Sequence, residues 1–174
     1  VEYVNGSPRV ALAIPDPFSR YIFVESDESR LQRLRDIQSE FQGQRNIEVL
    51  ASDANDALQL LIARQTFMRN TRSVVFLDPF GMHVPWATVA QLAATKAVEV
   101  IVNFPMGMAI RRLLTRSGEM MPGWEQALDD YFGSADWREE VYEERANLFG
   151  AIRQKREDAE TRLLEWYRQR LKAV

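Results

Sequence analysis

The stretch SVVFLDPFG, residues 73–81, sets the expectation for the fold. Its first five residues are rich in β-branched and aromatic side chains, which predicts a buried β-strand. Asp78 and Pro79 end that strand, because proline has no backbone N–H with which to continue strand pairing. Phe80 follows, and Gly81 allows the chain to turn back sharply. The strand is therefore predicted to lead into a stiff loop that presents one carboxylate and one aromatic ring.

Three further apolar runs of similar length occur at residues 21–24, 47–50 and 98–102. Segments with the spacing of one helical face lie between the runs, at residues 29–41, 55–67 and 88–97, with Thr88 a candidate N-cap. Strands that are apolar on both faces and alternate with helices are typical of parallel sheets covered by helices. The predicted fold is therefore α/β, with a doubly wound, mostly parallel sheet and right-handed crossovers.

The chain after residue 105 has a different character. Residues 106–114 predict a short helix, and the chain is predicted to be helical from Trp124 onward, with a break at residues 132–134 and a kink at Gly150. The prediction is one domain over residues 1–174, made of an α/β core at 1–105 and a helical extension at 106–174.

Composition narrows the class of protein. Of the 174 residues 46% are hydrophobic and 27% charged, which is ordinary for a folded domain. The apolar runs are far shorter than the roughly 20 residues needed to cross a bilayer, so we expect no membrane association. The chain has no cysteine, which excludes disulfides and thiolate metal sites and favours a cytoplasmic location. The net charge of −3 gives no overall attraction to nucleic acid.

Acidic residues follow three of the predicted strands, where ligands bind in open parallel sheets. Glu25 is positioned to accept hydrogen bonds from ribose hydroxyls, or it is a solvated loop carboxylate. Asp53 opens the sequence SDAND, residues 52–56, and either caps the following helix or lies near an adenine ring. Asp78 follows the third strand and is the first residue of the loop from Asp78 to Gly81.

The loop from Asp78 to Gly81 is the most specific feature. Its carboxylate and backbone carbonyls are suited to accept hydrogen bonds from the N–H groups of a planar amine, and the Phe80 ring is suited to stack on the face of that amine. The alternative is a tight turn in which Phe80 packs under the next helix. His83 is the only histidine, so no metal site is predicted, and a catalytic role for it has no support.

Several blocks of sequence together resemble the three-Cys-motif partner family, which is similar to class I S-adenosylmethionine-dependent methyltransferases with a Rossmann-like fold. The blocks are GSPRVAL (6–12), YIFVESD (21–27), SDAN (52–55), FLDPFGM (76–82), TKAVEVIVNFP (95–105) and FGSADW followed by VY (132–142). They cover nearly the whole chain in the order of the family.

The resemblance implies S-adenosylmethionine as cofactor, with Glu25 on the ribose and Asp53 and Ala54 near the adenine. It places Asp78, Pro79, Phe80 and Gly81 at the catalytic loop, and it implies a three-Cys-motif protein as a partner. The loop departs from the usual amino-methyltransferase pattern, since it has one proline rather than two. The glycine-rich first strand and the last strands of the family are also absent. Because the chain begins at Val1 rather than a methionine, we expect it to be part of a longer protein.

Two functional hypotheses follow. The first is methyl transfer from S-adenosylmethionine to an amine, on a nucleobase. The alternative is a catalytically inactive interaction module that binds a partner protein or nucleic acid. The tail at 153–172 motivates this alternative, because it contains seven basic and four acidic residues, with Trp166 and Tyr167 among them. That tail is also compatible with an amphipathic helix packed on the domain. A nicotinamide dehydrogenase is disfavoured, because no Gly-x-Gly-x-x-Gly occurs.

Overall fold

The structure is a computed structural model that describes residues 6–67, 70–78, 82–147 and 150–174. The chain forms two compact units, Val1–Leu60 and Leu61–Val174. Within the described residues, no helix is both long and apolar enough to cross a membrane.

The first unit contains two parallel strands and the helices that flank them in sequence. In chain order the elements are α1 (Ser7–Leu12), β1 (Tyr21–Glu25), α2 (Glu28–Glu40), β2 (Ile47–Ala51) and α3 (Ala54–Ala63), in which the unit ends. β1 and β2 pair in parallel, from Tyr21 opposite Ile47 to Glu25 opposite Ala51. Leu12, Tyr21 and Ile47 form the centre of the core. This pairing brings the carboxyl ends of both strands to one edge.

Helix α2 begins directly after its N-cap residue, Asp27. The Asp27 side chain accepts a hydrogen bond from the backbone N–H of Arg30 at 3.0 Å, which satisfies one of the free amides of the first turn. Leu31 lies buried on the inner face of the helix. At the other end, Glu40 forms an ion pair with Arg9 of α1 at 2.6 Å. The helix was predicted from residue 29 and begins one residue earlier.

The second unit contains another parallel pair. β3 (Ser73–Leu77) and β4 (Val98–Val102) run side by side, with Ser73 opposite Val98 and Leu77 opposite Val102. Helix α4 (Trp86–Ala94) connects them and follows Pro85, which serves as its N-cap residue without a side-chain cap. The predicted cap at Thr88 was wrong, because the helix starts two residues earlier and Thr88 is buried within its first turn.

The β3–β4 pair alternates in burial along each strand. Val74, Phe76 and Ile101 are exposed, at 43%, 51% and 52%, while Leu77 at the end of β3 is buried. Phe76 and Ile101 are opposite each other in the register. One face of the pair therefore presents apolar side chains to solvent, which is unusual for parallel strands.

The α/β class is confirmed, but the continuous sheet is not seen. Among the described residues the strands form separate two-stranded sheets, β1–β2 and β3–β4 in parallel and a third that is antiparallel. The single doubly wound order of strands therefore stays a prediction.

The rest of the second unit is mostly helical. Residues Met106–Ile110 form a π-helical turn, in which Ile110 N–H donates to the carbonyl of Pro105 at 3.2 Å. The elements that follow are α5 (Arg111–Leu113), α6 (Pro122–Phe132), α7 (Trp137–Val141), β5 (Tyr142–Asn147), β6 (Gly150–Lys155) and α8 (Ala159–Ala173).

The helix predicted through residues 142–155 was wrong, because β5 and β6 form an antiparallel hairpin there. Gly150 has φ of +128°, a value that does not occur in a helix. Glu144 lies opposite Arg153 in the register, and the Arg153 guanidinium packs 4.7 Å from the ring centre of Tyr142. A dense run of charges suits the exposed faces of a hairpin as well as those of a helix.

Aromatic side chains form the core of the second unit. Tyr131 and Tyr167 stack with 5.6 Å between ring centres, and Phe104 lies 5.0 Å from Tyr167. Helix α6 ends at Gly133, which has left-handed φ of +71° and lies directly against Trp86. A methyl group at residue 133 would be 2.3 Å from Trp86 Cδ1, so this close approach requires glycine.

Candidate functional site

Glu25 ends β1 and is held by the start of α2. Its Oε1 accepts hydrogen bonds from the backbone N–H groups of Ser26 and Asp27, both at 2.9 Å. The Arg30 guanidinium contacts both oxygens, with Nη2 3.2 Å from Oε1 and Nε 2.9 Å from Oε2. The carboxylate therefore already has cationic and amide donors around it.

The charge state of Glu25 follows from these contacts. Partial burial alone would raise the pKa of this carboxyl group. The amide hydrogen bond from Asp27 and the Arg30 guanidinium outweigh burial, and the pKa is lower than its ordinary value. Glu25 is thus an ionised acceptor at neutral pH. Among the contacts of the described residues, Oε2 accepts only from Arg30, so this oxygen retains a lone pair for a ribose hydroxyl.

Asp53 lies at the same edge of the first unit as Glu25. The backbone N–H of Ser52 donates to the carbonyl oxygen of Glu25 at 3.1 Å, which extends the pairing of β1 and β2 by one residue. Asp53 is exposed, and its Oδ1 accepts from the backbone N–H groups of Asn55 at 2.8 Å and Asp56 at 3.4 Å. It therefore caps α3, whose first residue is Ala54. The helix-cap interpretation is confirmed, and a role for Asp53 and Ala54 at an adenine ring stays a prediction.

Asp78 follows β3, and the structure pairs it with Asn103, which follows β4. The Asn103 Nδ2 donates to Asp78 Oδ1 at 2.7 Å. The backbone N–H of Asn103 donates to the carbonyl of Leu77 at 2.8 Å, so the parallel ladder continues to these two residues. Both side chains are exposed at the carboxyl end of the pair. The second unit thus presents a carboxylate and an amide together, at the edge where parallel sheets bind ligands.

The remainder of the predicted catalytic loop, Pro79, Phe80 and Gly81, lies outside the described residues. His83 is described and exposed. In the described ranges, no group of three His, Asp or Glu side chains is arranged to hold a metal ion.

The second unit also has an open cleft of about 380 Å³. Trp86, Asp129, Gly133 and Ser134 line it, and Asp78 does not. Asp129 is already bound by Arg138 Nη1 at 2.6 Å and by Trp137 Nε1 at 2.8 Å. Asp130 also lines the cleft and accepts a hydrogen bond from Gln126 Nε2 at 2.8 Å, so both lining carboxylates already have donors within the protein.

The basic tail is largely occupied by contacts within the protein. Arg162 pairs with Glu140 at 2.8 Å and Arg168 with Glu165 at 3.1 Å. Arg170 lies between two indole rings, 4.4 Å from the ring centre of Trp86 and 4.9 Å from that of Trp166. These contacts support the packed amphipathic helix, in which Leu163 and Tyr167 are buried.

Asn103 is the residue that sequence reasoning missed as a site candidate. The signal was present, because Asn103 follows β4 at the same position relative to the strand as Asp78 follows β3. A carboxamide also offers an acceptor oxygen, so an asparagine directly after a strand is a site candidate in the same way as an acid.

Comparisons of the chain with protein-family models, with curated proteins and with solved structures gave no match.

Proposed function

We propose that this protein is an S-adenosylmethionine-dependent methyltransferase that acts on an amine, the exocyclic amine of a nucleobase. The observation that carries the proposal is the Asp78–Asn103 pair at the carboxyl end of two parallel strands. An exposed carboxylate at that edge is suited to accept a hydrogen bond from an amine. The resemblance to the three-Cys-motif partner family supports the same assignment.

The proposal assigns the cofactor to the first unit. Ribose hydroxyls need an acceptor, and the ionised Glu25 carboxylate at the end of β1 fits that need. Asp53 and Ala54, at the start of α3, are assigned to the adenine. When bound, S-adenosylmethionine supplies an activated methyl group. The protein itself aligns the reactants, because Asp78 orients the amine through a hydrogen bond and forms no covalent bond to it.

The test is transfer of radiolabelled methyl groups to single-stranded DNA and RNA, with Asp78→Ala compared with Asp136→Ala. Asp78→Ala is expected to lower the rate about a hundredfold, because the amine loses its orienting acceptor. Asp136 precedes α7 in the same unit, and its removal is expected to leave the rate unchanged. Equal rates in both variants would contradict the role of Asp78.

A second candidate function is an interaction module without catalytic activity. The exposed apolar face of β3–β4, formed by Val74, Phe76 and Ile101, favours it. Substitution Phe76→Ser would then weaken capture of a partner and leave cofactor binding unchanged. If the methyltransferase proposal holds, that substitution changes neither transfer nor cofactor affinity.

A further inference from the structure

The contact between Asn103 and Asp78 fixes the orientation of the Asn103 amide. A carboxylate can only accept hydrogen bonds, so the atom of Asn103 that lies 2.7 Å from Asp78 Oδ1 is the Nδ2 donor. The amide oxygen of Asn103 then points away from Asp78 Oδ1. Among the described residues, no contact of Asp78 Oδ2 is seen, so this oxygen is a second acceptor. The pair therefore offers two acceptors of different kinds, one anionic and one neutral.

The backbone holds this pair in register. Asn103 donates its N–H to the carbonyl of Leu77, the residue before Asp78, at 2.8 Å. Phe104, the next residue, packs against Tyr167 with 5.0 Å between ring centres. Asn103 is thus anchored on one side by the strand ladder and on the other by the aromatic core, although its own side chain is exposed.

We propose that Asn103 is the second acceptor of the methyl-transfer site and restricts the substrate to a primary amine. This inference rests on the function proposed above. Asp78 Oδ2 accepts one N–H of the amine and Asn103 Oδ1 accepts the other, so a substrate with two N–H groups satisfies both oxygens. Asn103 acts as a specificity-determining residue, because it contacts the substrate and takes no part in bond making.

The same arrangement limits the reaction to one methyl group. The amine nitrogen attacks the methyl carbon with its lone pair, the carbon–sulfur bond breaks with its electron pair going to sulfur, and the nitrogen releases one proton to water. The product is a secondary amine with a single N–H. One of the two acceptors then has no donor, which disfavours rebinding of the product for a second transfer.

The test measures binding without cofactor, by fluorescence anisotropy, of one labelled adenine-containing oligonucleotide and its N6-methyladenine counterpart. Wild type is expected to prefer the primary amine by about tenfold. Asn103→Leu is expected to lose that preference. Asn103→Gln keeps the amide oxygen and the amide NH2 group and is expected to retain part of it. Melting curves of the three proteins separate loss of recognition from loss of the fold.

Methyl transfer to the same two oligonucleotides is the second readout. A preference that is unchanged in Asn103→Leu would overturn the role of Asn103 and leave methyl transfer standing. Transfer of two methyl groups by wild type at equal rates would also overturn it. The absence of transfer by any folded variant to either oligonucleotide would exclude adenine as the acceptor. Absence of transfer to mixed-sequence single-stranded DNA and RNA as well would overturn both this inference and the proposed function.

Discussion

The guanidinium of Arg30 lies on the carboxylate of Glu25, with 2.9 Å between Nε and Oε2 and 3.2 Å between Nη2 and Oε1. The proposed ribose acceptor is therefore occupied by a neighbour on the following helix. A cofactor that binds Glu25 shares the carboxylate with Arg30, because each carboxylate oxygen accepts more than one hydrogen bond.

Removal of the Arg30 cation should strengthen cofactor binding, because the Glu25 carboxylate then has one donor fewer. Arg30→Gln is expected to tighten the affinity for S-adenosylmethionine about two- to fivefold, because a half-exposed ion pair contributes up to about 1 kcal/mol. Isothermal titration calorimetry measures this. Arg33→Gln makes the same change of charge on α2 and should leave the affinity unchanged. Weaker binding by Arg30→Gln would mean that Arg30 supports the ligand rather than competes with it.

Gly133 is expected to be the least replaceable of the glycines that the structure describes in the second unit. Gly133→Ala places a methyl group 2.3 Å from Trp86 Cδ1 at a residue with φ of +71°. We expect a loss of about 2–4 kcal/mol in the free energy of unfolding, from backbone strain and overpacking together. Urea unfolding measures it. The control is Gly123→Ala at the start of α6, where a methyl group would meet nothing within 4 Å and should change stability by less than about 1 kcal/mol.

The Asp129–Arg138 pair should make stability depend on pH. Partial burial would raise the pKa of Asp129, but the hydrogen bonds from Arg138 and Trp137 hold it below its ordinary value. A lowered carboxyl pKa contributes stability above the ordinary value of about 4, and this contribution is lost as the pH falls through the lowered pKa. Arg138→Gln should therefore cost about 1–2 kcal/mol at neutral pH and progressively less in acid.

Chemical unfolding of wild type and Arg138→Gln across that pH range tests the sign. The matched control is Arg168→Gln, whose partner Glu165 is half exposed, and it should cost less than about 0.5 kcal/mol at any pH. A difference between Arg138→Gln and wild type that stays constant into acid would contradict the assignment.

Arg170 is expected to be a structural residue rather than part of a nucleic-acid surface. It donates to the carbonyl of Phe132 and to Ser134 Oγ, and it lies against the rings of Trp86 and Trp166. Arg170→Met should cost about 2–3 kcal/mol and shift tryptophan fluorescence to longer wavelength.

The control for Arg170 is Lys172→Met, two residues further along α8, where the side chain is exposed. It removes the same charge and should leave stability and fluorescence nearly unchanged. Equal effects of the two substitutions would mean that Arg170 acts only through its charge. Neutralising Arg170 alone is therefore an unsound test of nucleic-acid binding, since it also disturbs the core.

The positions of the four parallel strands could be predicted from the sequence, because each is a short run rich in apolar and β-branched residues, interrupted in β2 and β4 by a single glutamate. The segments at 21–24 and 98–102 match β1 and β4 to within one residue. The hairpin at 142–155 could not, because its residues are charged on both faces and have no period of two in polarity. Its identity depends on Gly150 and on pairs made across the turn.

The candidate site was predicted only in part, because some of its contacts join residues that are far apart in the sequence. Glu25, Asp53 and Asp78 are recognisable in the sequence because each lies at the end of a strand or just after it. The Asp78–Asn103 hydrogen bond joins residues 25 positions apart and depends on the register of β3 and β4, which composition does not reveal. The Arg30–Glu25 contact depends on the conformations of both side chains. The five-residue separation of Glu25, at the end of β1, and Arg30, on α2, does not determine those conformations.

The most direct test of the proposed function is calorimetric titration of S-adenosylmethionine into the protein and into Glu25→Gln. The control is Glu28→Gln, which alters an exposed carboxylate three residues away at the start of α2. We predict micromolar binding by wild type and by Glu28→Gln, and binding at least about tenfold weaker by Glu25→Gln. No binding by folded wild type, or equal binding by all three proteins, would contradict the assignment of Glu25 and of the cofactor.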